Sequence, residues 1–153
     1  MKNGVQRAEL LDRLAETGDR LAIIKDGSVL FTSREPGIQP LLEAIHSISA
    51  AELRDSQVAD TVVGKAGALL MAHAEVAFVA GRVMSTIGTD TLRAHRIPFH
   101  AKTVVPAILG RHANRQCPFE KAVAGINDPH RALDVLTELT QSLASKAPQP
   151  RVQ

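Results

Sequence analysis

The stretch QVADTVVGKAGALL, residues 57–70, constrains this chain more than any other. It opens as a short apolar β-type run over 57–59, turns at Asp60 and continues as a helix of small residues. A strand that feeds directly into a helix behind an Asp cap belongs to α/β architecture. It leaves free backbone N–H groups at the carboxyl end of the strand, where such folds bind ligands.

The flanking segments fit the same architecture. Residues 6–17 carry Leu10, Leu11 and Leu14 at helical spacing, with Gly18 as a stop. Two apolar runs, 21–24 and 28–32, flank Lys25-Asp26-Gly27, a strong hairpin signal that makes the first two strands antiparallel neighbours. Ser33-Arg34-Glu35-Pro36-Gly37 breaks the second strand, and Leu41, Leu42, Ile45 and Ile48 predict a helix over 38–48. A polar connection over 49–54 follows. After the central stretch, whose helix runs to Ala74, EVAFVAG (75–81) reads as a buried parallel strand, 86–95 as a helix and 97–100 as an edge strand carrying Pro98. Residues 104–109 read as a helical turn and 110–116 as a polar loop. Pro118 opens a helix that continues over 119–125. Asn127-Asp128-Pro129 caps a last helix with Ala132, Leu133, Leu136, Leu139 and Leu143 on its apolar face, and 146–153 reads as a frayed tail. The sum is an α/β fold: a mostly parallel sheet with one antiparallel strand and helices on both faces, in one domain over 1–145.

Composition excludes several functions. No Trp or Tyr and four Phe leave few platforms for stacking on single-stranded nucleic acid, and a net charge of +2 with scattered basic residues gives little nucleic-acid footprint. The local density at Arg111, His112 and Arg115 reads either as a solvated loop or as a phosphate clamp. A single cysteine excludes an internal disulfide and a multi-cysteine metal site and fits a reducing cytoplasm. No apolar run is long enough to span a bilayer, so no membrane partner is expected.

Two places could carry chemistry. The helices opening after 34–37 and after Asp60 would converge if the first three strands are neighbours, and their N-termini suit an anion. Arg34, Gly37, Asp60, Gly64 and Lys65 are the candidate ligand-binding residues there. Gly64-Lys65 has the ending of a phosphate loop without its spacing: no glycine precedes by five and Ala66 replaces the Ser/Thr. The small residues read equally as an aid to close helix–sheet packing. The second place is Cys117-Pro118-Phe119-Glu120. A cysteine capping a helix is a candidate nucleophile with Arg115 nearby, and Glu120 is the accompanying candidate acid–base group or a capping-box residue. Both groups also read as plain structure. His73-Ala74-Glu75 matches part of the zinc deaminase signature, but it closes a helix instead of opening one and lacks the cysteine pair. The other histidines show no ligand spacing, so no metal and no cofactor are expected.

KDGSVLFTSREPGIQPLLEAI, ADTVVGKAGALLM and CPFEKAV before a capped last helix resemble, as a set, domain-of-unknown-function family 1893, which is grouped with the cytidine-deaminase-like fold. The resemblance covers roughly 21–143. It implies a three-layer α/β/α sandwich with a mixed five-stranded sheet in the order 2-1-3-4-5. Zinc deaminases of that fold place metal ligands where this chain has 34–37 and 60–65, which hold neither His nor Cys. The family's recurring residues match Asp60, Gly64, Lys65, Cys117, Pro118 and Glu120; Arg111 and Asn114 fall in a loop that looks shorter than is usual. Three functions follow as expectations: a metal-free protein binding a nucleotide or phosphate-type ligand, a cysteine-dependent enzyme or sulfur carrier, or a non-catalytic interaction protein that could form a homo-oligomer through an edge strand.

Overall fold

The computed structural model describes residues 3–110 and 115–146. Helix α1 (Asn3–Thr17) leads into the hairpin β1 (Leu21–Lys25) and β2 (Ser28–Ser33). Asp26 and Gly27 both hold positive φ, 50° and 80°, as a two-residue hairpin turn of primed type requires. Then come α2 (Gln39–Ser47), α3 (Ala50–Leu53), β3 (Gln57–Val63), α4 (Lys65–His73), β4 (Phe78–Ser85), α5 (Thr86–Ala94), β5 (Phe99–Val105), α6 (Pro118–Ala122) and α7 (Pro129–Lys146).

The sheet order is β2-β1-β3-β4-β5. β1 is antiparallel to both neighbours, whereas β3, β4 and β5 are mutually parallel. β1 is thus the one reversed strand, as expected, and the carboxyl ends of β2 and β3 emerge on the same edge with the start of β1 between them. Helices cover both faces. Leu10, Leu11 and Leu14 of α1 bury Ala22, Ile24, Ala59, Phe78 and Ala80 on one side. On the other, Leu21, Ile23, Val58 and Val79 meet Leu41 and Leu42 of α2, Leu69 and Leu70 of α4, Leu92 of α5, and Leu133 and Leu136 of α7. β3 and β4 are apolar on both faces because both faces are covered.

Several elements differ from the sequence expectation. β3 does not turn at Asp60 but runs on to Val63, and the cap of α4 is Gly64. Asp60 instead lies within the sheet, opposite Leu21 on β1 and Gly81 on β4. The strand expected at 75–81 starts later and reaches Ser85; Glu75 holds φ 56°, which turns the chain back after α4. Arg82 interrupts the apolar run without ending the strand, because a half-buried Arg keeps its head in water. Residues 104–109 form no helical turn. β5 continues to Val105, and Leu109 bridges to Gln116. The connection at 49–54 contains α3, whose cap Ser49 accepts a hydrogen bond from Glu52 N. Arg111, His112 and Asn114 lie outside the described residues, as does the tail expected at 146–153 apart from Lys146, the last residue of α7. No described helix is long and apolar enough to cross a membrane.

Gly88 in α5 reports on how tightly β3 and α5 abut. A Cβ there would stand 2.8 Å from the Val63 carbonyl oxygen, a backbone atom that cannot swing aside. Helix propensity alone favours Gly→Ala by up to about 1 kcal/mol. The collision reverses the sign: Gly88→Ala lowers the unfolding free energy by about 1–3 kcal/mol in urea titrations.

Candidate functional site

The edge where β2 and β3 end opens into a cleft of about 770 Å³. Its floor is Arg20, Leu21 and Asp60–Val62; one wall is Glu35–Gln39 at the start of α2, another is Gly64, Ala66 and Gly67 of α4. Ile108–Gly110 and Arg115–Glu120 form the outer wall, and Leu143 of α7 reaches in from the side. Val62, Leu109 and Leu143 are exposed large apolar side chains that all line this cleft, so apolar surface flanks the polar groups of Arg20 and Asp60.

Asp60 is the central ionisable group. Burial pushes its carboxyl up to about 7, against the opposing hydrogen bonds from the Val62 and Thr61 amides. The Val62 amide donates to Oδ1 at 3.4 Å. Among the described residues no Lys, Arg or His nitrogen lies within ion-pair distance of it.

The two helix N-termini at the cleft differ. That of α2 has no side-chain cap: Ile38 holds the cap position, Gly37 just before it takes φ 83°, and Pro40 sits in the first turn. That of α4 is filled by the protein itself. The Lys65 amide donates to Glu120 Oε1 and the Ala66 amide to Glu120 Oε2, both at 2.7 Å. A carboxylate gripping two free amides at a helix start is a charge-assisted bond of the stronger kind. The expected guest at this terminus, an anion, is therefore Glu120, which caps α4 and not its own helix. The fit explains Gly64, where a Cβ would collide with Glu120 Oε1 and stand 2.6 Å from Cδ. Gly67, by contrast, meets nothing closer than Val63 Cγ1 at 3.9 Å, so packing does not force a glycine there.

Lys65 turns away from the cleft. It is 6% exposed, and its Nζ donates to the Ala124 carbonyl at 3.0 Å, so it ties α4 to the chain between α6 and α7. Arg34 also leaves the site: its Nη2 donates to the Thr17 carbonyl, its Nε lies 3.6 Å from Asp19, and its side chain is exposed. The structure thus brings together Gly37, Asp60, Gly64, Cys117 and Glu120 around one cleft and places Arg34 and Lys65 outside its lining. Cys117 stands at the cap position of α6, half-buried and free, and its side chain makes no cap hydrogen bond. Arg20 enters the site unannounced. The signal for it was topological: it precedes β1, and reversal of β1 puts that end on the edge where β3 finishes. Among the described residues, no three His, Cys, Asp or Glu side chains cluster as metal ligands.

These contacts generate two measurements. Glu120→Ala strips the cap from α4 and lowers stability by about 1–3 kcal/mol. Gly64→Ala does similar damage by evicting the carboxylate. The two are strongly non-additive in a double-mutant cycle, because Gly64→Ala loses its collision once Glu120 is gone. Asp60 governs a pH effect. Its folded value of about 7 lies above the ordinary 3.8, so its contribution is fully present below pH 3.8 and is lost as pH rises through 7. Asp60→Asn therefore flattens the decline, and by pH 8 it is more stable than wild type by roughly 2 kcal/mol, allowing for solvent that still reaches the carboxyl. Chemical denaturation across pH reads it directly.

Comparison with known proteins agrees with this architecture. The crystal structure of a DUF1893 family protein from Thermotoga maritima superposes with a TM-score of 0.77 over 90% of each chain, at 24% identity, a likeness that speaks to the fold alone. No curated protein matches the chain. The family profile described as a domain of unknown function, DUF1893, matches residues 9–140. The chain belongs to that family.

Proposed function

We propose that the cleft binds a small anionic ligand of nucleotide or phosphate type without a metal ion, in a cytoplasmic single-domain protein spanning 1–145. The observation that carries this reading is the pairing, in one cleft, of an uncapped helix start with a carboxyl that titrates near neutrality. Its volume of about 770 Å³ falls in the range of small-molecule sites. The α2 terminus suits the anionic end, and Arg20 and Arg115 line the same cleft. Asp60 suits a hydrogen-bond donor on the ligand, such as an amine or amide edge. The apolar mouth at Leu109, Phe119 and Leu143 suits the flat body of a base. The reading also places the chain in the cytidine-deaminase-like class with its metal positions replaced. In support, neither helix opening, 34–39 or 60–66, carries a His or Cys.

A panel of nucleoside mono-, di- and triphosphates and inorganic phosphate, screened by thermal shift and quantified by calorimetry, tests this. At least one nucleotide binds, and Asp60→Ala and Arg20→Ala each weaken it about tenfold or more, a loss of about 1.4 kcal/mol. Lys65 lies outside the lining and takes no part in the contact. No binding by any member, or undiminished binding in both variants, overturns the reading.

A second reading rests on Cys117, which lines the same cleft as Asp60. A ligand held there would lie within reach of the thiol, making Cys117 the nucleophile or sulfur carrier and Glu120 a group that positions its helix. Iodoacetamide trapping followed across pH decides it: alkylation faster than that of a free thiol, and blocked by a bound nucleotide, supports this role; ordinary reactivity removes it.

A further inference from the structure

The opposite end of α4 holds a pair of groups that the cleft does not use. α4 and α7 pack along each other in antiparallel sense: Leu143, late in α7, reaches the cleft at the start of α4, while the end of α4 meets the start of α7. There His73, the last residue of α4, faces His130, the second residue of α7, with ring centroids 5.6 Å apart and planes tilted by 32°. Neither ring makes a hydrogen bond to any described protein group, although most side-chain imidazoles in folded proteins find a partner. His46, on α2, is instead within hydrogen-bond distance of Thr137 on α7, at 3.3 Å.

Two imidazoles without a hydrogen-bond partner, on two helices, stand at a centroid spacing that one cation can bridge. A cation held at about 2.1 Å by one nitrogen of each ring, at a tetrahedral angle, sets the ring centroids roughly 5.3 Å apart. The observed 5.6 Å is within a small side-chain adjustment of that spacing. We propose that His73 and His130 form a two-histidine site for a zinc-class divalent cation that clasps α4 to α7, with water filling the remaining positions. Imidazole nitrogen selects zinc, copper or nickel over magnesium and calcium, which prefer oxygen. His130 is exposed and His73 half-buried, so the cation has direct access from solvent and neither side chain is a core element. The ligands lie 57 positions apart in sequence, 130 minus 73, on different helices, which is why no ligand spacing is visible in the chain itself.

The test uses tag-free full-length protein stripped with chelator. Calorimetric titration with Zn²⁺ gives one saturable site per chain, and Zn²⁺ raises the thermal midpoint. His73→Ala and His130→Ala each weaken the site about tenfold or more and abolish most of the thermal rise. His100→Ala, an exposed histidine on β5, leaves both unchanged, and Mg²⁺ gives neither heat nor stabilisation. Circular dichroism shows that the variants are folded. Absence of Zn²⁺ binding, or wild-type binding in either His73→Ala or His130→Ala, overturns the proposal. Nucleotide binding in the cleft is independent of both outcomes.

Discussion

The grip of Glu120 on the first two amides of α4 holds the architecture of the cleft in place. It does the work of an N-cap from a residue 55 positions away. Because the bond is charged and bidentate, it ties the start of α4 firmly to α6. Lys65, anchored to the Ala124 carbonyl, adds a second tie between the same two segments. α6 is a helix of five residues with none buried, and these contacts add to the packing of Phe119 against the core. The outer wall of the cleft, Cys117 included, hangs on that arrangement.

The cleft itself follows from the reversal of one strand. In an all-parallel sheet the edge at the carboxyl ends would show only strand exits. Here β1 enters at that edge, and its preceding residue, Arg20, joins Asp60 and the start of α2 in one concavity. The rim is apolar because α7 and the 108–110 segment bring Leu143, Ile108 and Leu109 to it.

Much of this was legible in the residues, and the failures share a physical cause. The strand order was implied by the family resemblance, whereas the hairpin at Asp26-Gly27 and the apolar faces of α2 and α7 followed from local turn chemistry and periodicity. Each of those signals is written in residues close together in sequence. Asp60 was singled out in the sequence and does line the cleft, but it was given the wrong local role. Asp before a small-residue run reads as a cap, and nothing nearby announces that a distant carboxylate will cap the helix instead. Glu120 was read against its own helix for the same reason. Lys65 and Arg34 have the right charge for an anion site, yet orientation is decided by tertiary partners, the Ala124 carbonyl in one case and Thr17 with Asp19 in the other. Segments 75–81 and 104–109 show the complementary limit, because short apolar runs do not fix where a strand begins or ends.

The place of β1 between β2 and β3 bears on how the chain reaches this structure. The hairpin is local and closes early, within microseconds by the ordinary rate of such turns. Its inner strand, LAIIK, then presents an open edge of apolar β-type residues until β3 arrives, more than 30 residues later in the chain, 57 minus 25. During synthesis that edge emerges well before its partner. An unpaired edge of this kind is a template for pairing with other chains. Docking of α1, whose Leu10, Leu11 and Leu14 pack against Ala22 and Ile24, covers one face of the strand without closing the edge. The same reversal that builds the cleft therefore makes the arrival of β3 the step on which clean folding depends.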